Sequence, residues 1–148
     1  MKVSAKGRYG LAAVTYIAKN SKNGEFITVI RVSEELGFSK IYLEQIFSLL
    51  KKSGILISVK GSQGGYQLAK SPDTITVFDV LQSTETCLFE DIETNLEEKN
   101  NILEKTLHEY VFKNINIQIK DMLSAITVHD LVVETENREL STNYMYFI

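Results

Sequence analysis

The apolar positions at the start of the chain recur at helical spacing. This spacing predicts an amphipathic helix over residues 3–20, and the positions that produce it are Tyr9, Ala12, Ala13, Tyr16 and Ile17. The Asn-Ser-Lys-Asn-Gly run that begins at Asn20 is typical of a turn and predicts the end of this helix.

Two further helical stretches follow, and a short turn separates them. Thr28 is a suitable N-cap for a helix that stops at Gly37, because glycine takes the left-handed conformation that often ends a helix. Ser39 can cap a second helix over residues 39–53, which Gly54 closes. Two helices joined by a three-residue turn with a glycine are typical of a helix-turn-helix, although an ordinary helical hairpin has the same spacing. The shared apolar positions are Val29, Val32, Leu36, Leu43, Ile46, Phe47 and Leu50.

A glycine-rich β-hairpin is predicted directly after these helices. Residues 55–60 are rich in β-branched residues, residues 61–65 contain three glycines, and a second strand pattern reaches residue 69. A phosphate-binding loop would need a helix immediately after the glycines, whereas a strand pattern follows here. A helix-turn-helix with this hairpin predicts a winged helix, a fold that is mainly α with a small β wing.

Charge divides the chain near Pro72, its only proline. Residues 1–70 hold eleven basic and four acidic residues, a net charge of +7, whereas residues 71–148 carry −10, so that the whole chain has −3. A basic part joined to an acidic part suggests a polyanionic partner for the basic part. Two solvated faces of unlike charge are the alternative. We therefore predict a DNA-binding domain over residues 1–72 and a second, helical region over residues 73–148.

The candidate DNA contacts lie on the outward side of the second helix and on the hairpin. Long basic side chains reach phosphates, while amides, carboxylates and hydroxyls can read base edges. The candidates on the recognition helix are Ser39, Lys40, Tyr42, Glu44, Gln45 and Lys51, and those on the wing are Lys60, Gly61, Ser62, Gln63 and Gly64. Lys2, Lys6 and Arg8 are additional candidates for phosphate contact.

Three segments of the chain resemble the Rrf-two family of bacterial transcription regulators. They are MKVSAKGRYGL, YLEQIFSLLKKSGIL and VKGSQGGYQLAKSPDTITVFDVL, and they span about residues 1–82 in the family's order. The resemblance implies a homodimeric, sequence-specific DNA-binding repressor that reads a palindromic operator. It also implies that Glu44 accepts from a cytosine amino group and that Tyr42 and Lys40 reach phosphate or base edges. Lys60 stands where the family usually has arginine, so wing affinity or sequence preference is expected to differ.

A long amphipathic stretch over residues 101–125 has more apolar surface than a small core needs. At 1.5 Å per residue it would measure about 37 Å. The family resemblance implies that this helix packs against its copy in a second subunit, while a monomer with a long core helix is the alternative. It also implies that residues 73–148 form a helical dimerisation and possible sensor region. The expected dimerisation residues are Leu107, Val111, Ile115, Ile119 and Met122.

The chain departs from the cluster-binding members of this family in its cysteine content. Those members hold three cysteines in the segment that corresponds to residues 84–106, where this chain has only Cys87. Iron–sulfur clusters usually need four ligands, mostly thiolates, so we expect no cluster, no other cofactor and no metal site. Cys87 is a candidate thiol sensor, although its acidic neighbours disfavour the reactive thiolate and a buried small apolar role is the alternative.

The remaining features exclude several other classes of protein. The sequence has no apolar run of about 18 residues, no signal-peptide pattern and too few cysteines for internal disulfides, so we expect a cytoplasmic protein. It contains no nucleophilic triad or nucleotide loop, which argues against an enzyme. The expected partners are double-stranded DNA, a second copy of the chain and a small-molecule or protein effector. An alternative is a winged-helix interaction module that regulates a partner enzyme, with DNA binding secondary or lost.

Overall fold

Helices form most of the chain in the computed structural model, which describes residues 2–21, 23–85, 88 and 102–146. The helices are α1 (Ala5–Asn20), α2 (Val29–Leu36), α3 (Lys40–Lys52), α4 (Val77–Thr84), α5 (Ile102–Leu107), α6 (Lys113–Ser124) and α7 (Val128–Tyr146). A 3₁₀ turn at Pro72–Thr74 precedes α4, and a π turn at His108–Phe112 joins α5 to α6. Cys87 lies outside the described residues. Among the described helices, none is long and apolar enough to cross a membrane.

Side-chain caps fix the ends of the first three helices. The hydroxyls of Ser4, Thr28 and Ser39 accept hydrogen bonds from backbone amides three residues later, at 3.2, 3.2 and 3.4 Å. These bonds satisfy amides that have no partner within the helix. Gly37 ends α2 with φ of 68° and ψ of 29°, the left-handed conformation that was predicted for it. The two caps predicted for the helix-turn-helix are therefore confirmed.

The wing consists of two antiparallel strands and a third segment that docks on them. β1 (Leu56–Val59) pairs with β2 (Gly65–Leu68). Ile27, which precedes α2, forms a bridge with Tyr66 through hydrogen bonds of 2.9 and 2.7 Å. Gly65 permits this approach, because a Cβ atom there would lie 2.6 Å from the Ile27 carbonyl oxygen. The wing is thus held against the loop that leads into the helix-turn-helix.

One apolar core continues from the helix-turn-helix into the C-terminal half of the chain. Its fully buried members in the first half include Ile17, Ile46 and Phe47. Val80 of α4 and Val128 of α7, both fully buried, belong to the same core. Each such side chain contributes about 1.5–3 kcal/mol to stability through burial. Residues on both sides of residue 72 therefore stabilise one another directly.

A repeated five-residue pattern, Ile-Thr-Val-x-Asp, clasps the starts of α4 and α7 together. In both copies, at residues 75–79 and 126–130, the threonine and aspartate form reciprocal hydrogen bonds that cap the helix. The two copies also pair with each other in antiparallel fashion. The Val77 amide donates to the Ile126 carbonyl at 2.9 Å, and the reciprocal bond is 2.8 Å long. This clasp fixes the two helix starts side by side.

The helical stretch over residues 102–124 confirms the long helix predicted at residues 101–125, and it contains a π turn that the sequence pattern did not predict. Among the described residues, the part of it that packs on the rest of the chain is its C-terminal end, where Leu123 is buried with Val77 and Leu81. The residues of α5 are all exposed. The described part of the chain therefore leaves most of the apolar face of the long helix uncovered.

Candidate nucleic-acid interface

The recognition helix α3 has a buried face and an exposed polar face. Leu43, Ile46, Phe47 and Leu50 are fully buried against α1 and the wing. The predicted contact residues Ser39, Lys40, Glu44, Gln45 and Lys51 are all exposed. The apolar spacing of α3 sets this division, since residues three or four apart share one face of a helix. The structure thus presents these five candidates together to solvent.

Lys40 and Glu44 form an ion pair one turn apart on this exposed face. The Lys40 Nζ lies 3.7 Å from a Glu44 carboxylate oxygen, and both side chains are about half exposed (50% and 48%). Exposed pairs at this spacing contribute only about 0.3–0.5 kcal/mol. Lys40 can therefore leave Glu44 to bind a phosphate, and Glu44 can leave Lys40 to bind a base edge, at little cost in free energy.

Tyr42 differs from its predicted position, because its ring is half-buried rather than directed outward. It packs edge-on against Tyr9 of α1, with ring centroids 5.7 Å apart and an interplanar angle of 83°. Tyr9 in turn stacks on Phe38 of the helix-turn-helix loop at 4.0 Å and 18°. Such aromatic pairs contribute about 0.5–1.5 kcal/mol each beyond their burial. Tyr42 therefore joins α1 to the recognition helix.

Ile41 is an exposed apolar residue on the recognition helix that sequence reasoning missed. It lies in the first turn of α3 between Lys40 and Tyr42, and 70% of its surface is exposed. A side chain of this kind can contact the methyl group of thymine in the major groove. Its place outside the apolar stripe of α3 was the available signal.

The wing tip presents Lys60, Ser62 and Gln63 to solvent. The turn is closed by a hydrogen bond of 3.0 Å from the Gly64 amide to the Gly61 carbonyl oxygen. Gly64 itself is buried, and a Cβ atom there would lie 2.1 Å from the Val59 carbonyl oxygen. Gly64 therefore shapes the turn and, unlike the other predicted tip residues, offers no exposed surface.

A side-chain hydrogen bond ties the recognition helix to the wing. The Lys51 Nζ, at the end of α3, donates to the Ser58 hydroxyl of β1 at 2.6 Å. Lys51 was predicted only as a DNA contact, and the structure gives its ammonium group a second role. Because the group has three N–H donors, it can hold Ser58 and still donate to a phosphate.

The three N-terminal basic residues predicted to contact phosphates differ in exposure. Arg8 and Lys2 are exposed, whereas Lys6 is half-buried. Arg8 precedes Tyr9, whose ring contacts Tyr42 of α3, so this end of α1 lies next to the recognition helix.

The predicted dimerisation residues remain largely exposed in the single chain. Leu107, Val111, Ile115 and Met122 are 40–55% exposed. Ile119 is half-buried against the small apolar cluster that contains Leu123. Four of these five side chains are thus available for another surface.

A single thiol is available in this chain to hold an iron–sulfur cluster. The sequence has one cysteine, Cys87. Within the parts of the chain that the structure describes, no three His, Cys, Asp or Glu side chains group as metal ligands would. Clusters are held mainly by several thiolates.

A helix-turn-helix followed by a wing, with exposed basic and amide side chains on both, defines a winged-helix DNA-binding protein. The family model Rrf2, described as "Iron-dependent Transcriptional regulator", matches residues 3–134. The chain therefore belongs to the Rrf2 family of transcriptional regulators.

Relatives and solved structures agree with this assignment. The HTH-type transcriptional regulator CymR of Bacillus subtilis is 33% identical over 149 aligned residues, which cover all of both chains. IscR of Erwinia tasmaniensis is 34% identical over 139 residues, covering 92% of this chain and 81% of the relative. Both relatives are named transcriptional regulators, which agrees with the chain being a transcriptional regulator of this family rather than an enzyme.

The winged-helix fold predicted from the sequence is confirmed by two solved structures. The structure described as CymR (YrzC), the global cysteine regulator of B. subtilis, has a TM-score of 0.73 at 28% identity and covers 90% of this chain and 98% of its own. T. potens IscR has a TM-score of 0.74 at 30% identity and covers 99% and 96%.

Proposed function

We propose that the protein is a homodimeric repressor that reads a palindromic operator with α3 and the wing. The observation that carries this proposal is the exposure of Lys40, Glu44 and Gln45 on α3 and of Lys60 and Gln63 at the wing tip, because these side chains combine phosphate-binding and base-reading groups. In a dimer of this class, two recognition helices about 34 Å apart enter successive major grooves.

The DNA-binding part is tested by the salt dependence of operator affinity. Lysine residues that neutralise phosphates release counterions, so each contact adds about 0.9 to the slope of log K against log salt concentration. Lys60→Ala should lower this slope by about one in a fluorescence-anisotropy titration with DNA from upstream of the gene. Lys113→Ala, which removes an exposed lysine from α6, should leave the slope unchanged. A Lys60→Ala protein with the wild-type slope would exclude wing contact with phosphate.

The homodimer proposal rests on the uncovered apolar side chains of the long helix. Val111 and Ile115 are 40% and 48% exposed in the single chain, and burying both in an interface is favourable at about 25 cal/mol per Å². Val111→Glu should convert a dimer of 16.8 kDa chains into monomers in light scattering, because a buried charge without a partner is costly. Lys113→Glu, on the same helix but outside the apolar stripe, should remain dimeric. Dimeric Val111→Glu protein would place the interface elsewhere.

We further propose that regulation proceeds without an iron–sulfur cluster. A single cysteine supports this proposal. Protein purified without oxygen should lack visible cluster absorption, and an absorption band that disappears in Cys87→Ser would overturn it. A role as an interaction module for a partner enzyme would gain support only if the purified dimer failed to bind DNA from its own upstream region.

A further inference from the structure

A cleft of about 390 Å³ lies between α7, the end of α1 and the exit of β2. This volume falls within the range of small-molecule sites in proteins. Its apolar lining includes Ala18, Leu68, Val132 and Val133. None of the predicted DNA contacts or dimerisation residues lines it, so the proposed function leaves the cleft without a role.

Polar groups of suitable chemistry surround this apolar lining. His129, Val132, Val133 and Glu136 occupy one side of α7, because they follow each other at the three- and four-residue spacing of a helix. Lys70, which follows β2, also lines the cleft, so that its ammonium group and the imidazole of His129 are both present there. The cleft therefore joins nitrogen donors to an apolar surface.

An unsatisfied hydroxyl group lines the same cleft. The Ser21 Oγ is buried but has no hydrogen-bond partner among the described residues. A buried polar group without a partner is unfavourable, because its lost hydrogen bonds to water are not replaced. A bound molecule with an acceptor or donor atom would remove this cost.

We propose that the cleft binds a small organic acid. Its carboxylate pairs with Lys70 and His129, and a branched apolar body of about five carbons lies on Val132 and Val133. The acid carries no α-amino group. His129 and Glu136 are seven residues apart on α7, about 10 Å along the axis, whereas the ammonium and carboxylate of an amino acid are attached to one carbon.

The position of the cleft gives such a ligand a regulatory consequence, which rests on the proposed function. Leu68 and Lys70 belong to the second strand of the wing and its exit, whereas His129 and Val133 belong to α7. A ligand that bridges them couples the orientation of the wing to the C-terminal half. Binding should therefore change the affinity for operator DNA.

Isothermal titration calorimetry of the full-length protein tests the site directly. The probe is 4-methylpentanoate, and 4-methylpentanamide and leucine serve as the uncharged and zwitterionic comparisons. We expect saturable binding of the acid at one site per chain, with at least tenfold weaker binding of the other two. Lys70→Met and His129→Gln should each weaken binding of the acid at least tenfold, and the matched Lys113→Met should not.

A cleft-filling variant guards against loss of folding in these substitutions. Val133 is 39% exposed, so Val133→Trp should keep the circular dichroism spectrum and abolish binding. No heat from the acid, or equal binding of amide and acid, would overturn the proposed site. Binding without a threefold or larger change in operator affinity would refute the regulatory coupling alone, and loss of DNA binding in the free protein would instead refute the proposed function.

Discussion

Replacing Gly65 with alanine tests whether the wing owes its position to its contact with Ile27. Gly65 has φ of 145°, and the new Cβ atom would lie 2.6 Å from the Ile27 carbonyl oxygen and 3.1 Å from its amide nitrogen. Because these are backbone atoms, the segments that contain Gly65 and Ile27 must move apart. Gly61 is the matched control, because its φ is also positive at 110° but its Cβ atom would meet nothing within 4 Å.

The two substitutions should differ in the free energy of unfolding by the value of the lost bridge. Both incur the conformational cost of a side chain at positive φ, about 1–3 kcal/mol. Only Gly65→Ala also breaks the two hydrogen bonds between Ile27 and Tyr66, which are 2.9 and 2.7 Å long. At about 1 kcal/mol net for each bond, it should be less stable than Gly61→Ala by about 2 kcal/mol.

Urea unfolding followed by far-ultraviolet circular dichroism measures this difference. Near-ultraviolet circular dichroism should also change in Gly65→Ala, because the Tyr66 ring packs on Phe47 with centroids 4.7 Å apart. Equal losses of stability in the two variants, with the Tyr66 signal unchanged, would refute the idea that the bridge holds the wing.

Two further predictions concern the recognition helix and the clasp. Ile41→Ala should weaken operator binding about fivefold, since about 1 kcal/mol of apolar contact is lost, while the folding stability should stay within about 0.5 kcal/mol. The control Ile30→Ala shortens a side chain of α2 that is 51% exposed and should leave binding unchanged. Unchanged operator binding by Ile41→Ala would remove this residue from the interface. Hydrogen bonds from Thr127, together with the charge of His129, lower the pKa of Asp130. The stabilising effect of the Asp130 carboxylate is therefore present above the ordinary aspartate pKa of about 3.9. This effect is lost as the pH falls through the lower pKa of the folded protein. Asp130→Asn should therefore lower the thermal midpoint at pH 7 and lower it less near pH 3. Asp121→Asn, on the exposed long helix, should not show this change with pH. A difference in thermal midpoint between Asp130→Asn and the wild type that does not vary with pH would contradict the assigned role of the carboxylate.

Local features of the sequence predicted the helix-turn-helix well because local interactions determine it. Thr28, Gly37 and Ser39 cap or end their helices through bonds within three to five residues along the chain. The glycine-rich turn between the strands is similarly local. The contribution of Ile27 to the wing was not predicted, because it pairs with a residue 39 positions later and only the folded chain brings them together.

The details of the binding surface also depended on distant contacts. Helical periodicity assigns Tyr42 to the outward side of α3, yet Tyr9, from another helix, covers part of its ring. Ile41 was missed for a different reason. It lies outside the apolar stripe of α3, and a single apolar residue forms no periodic pattern. Periodicity within one helix reports which side can be buried, and the neighbouring elements decide how much of that side is covered.

The clasp between the two Ile-Thr-Val-x-Asp copies explains how the acidic half can act on the basic half. Their backbone bonds join residues 51 positions apart, and Val128, which follows directly, is buried in the core of the helix-turn-helix. Because closely packed interiors transmit displacement, a change at α7 must shift that core or break the clasp. The boundary in charge at Pro72 is therefore not a flexible joint. A displacement of α7 thus has a direct mechanical route to the core beneath α3 and the wing.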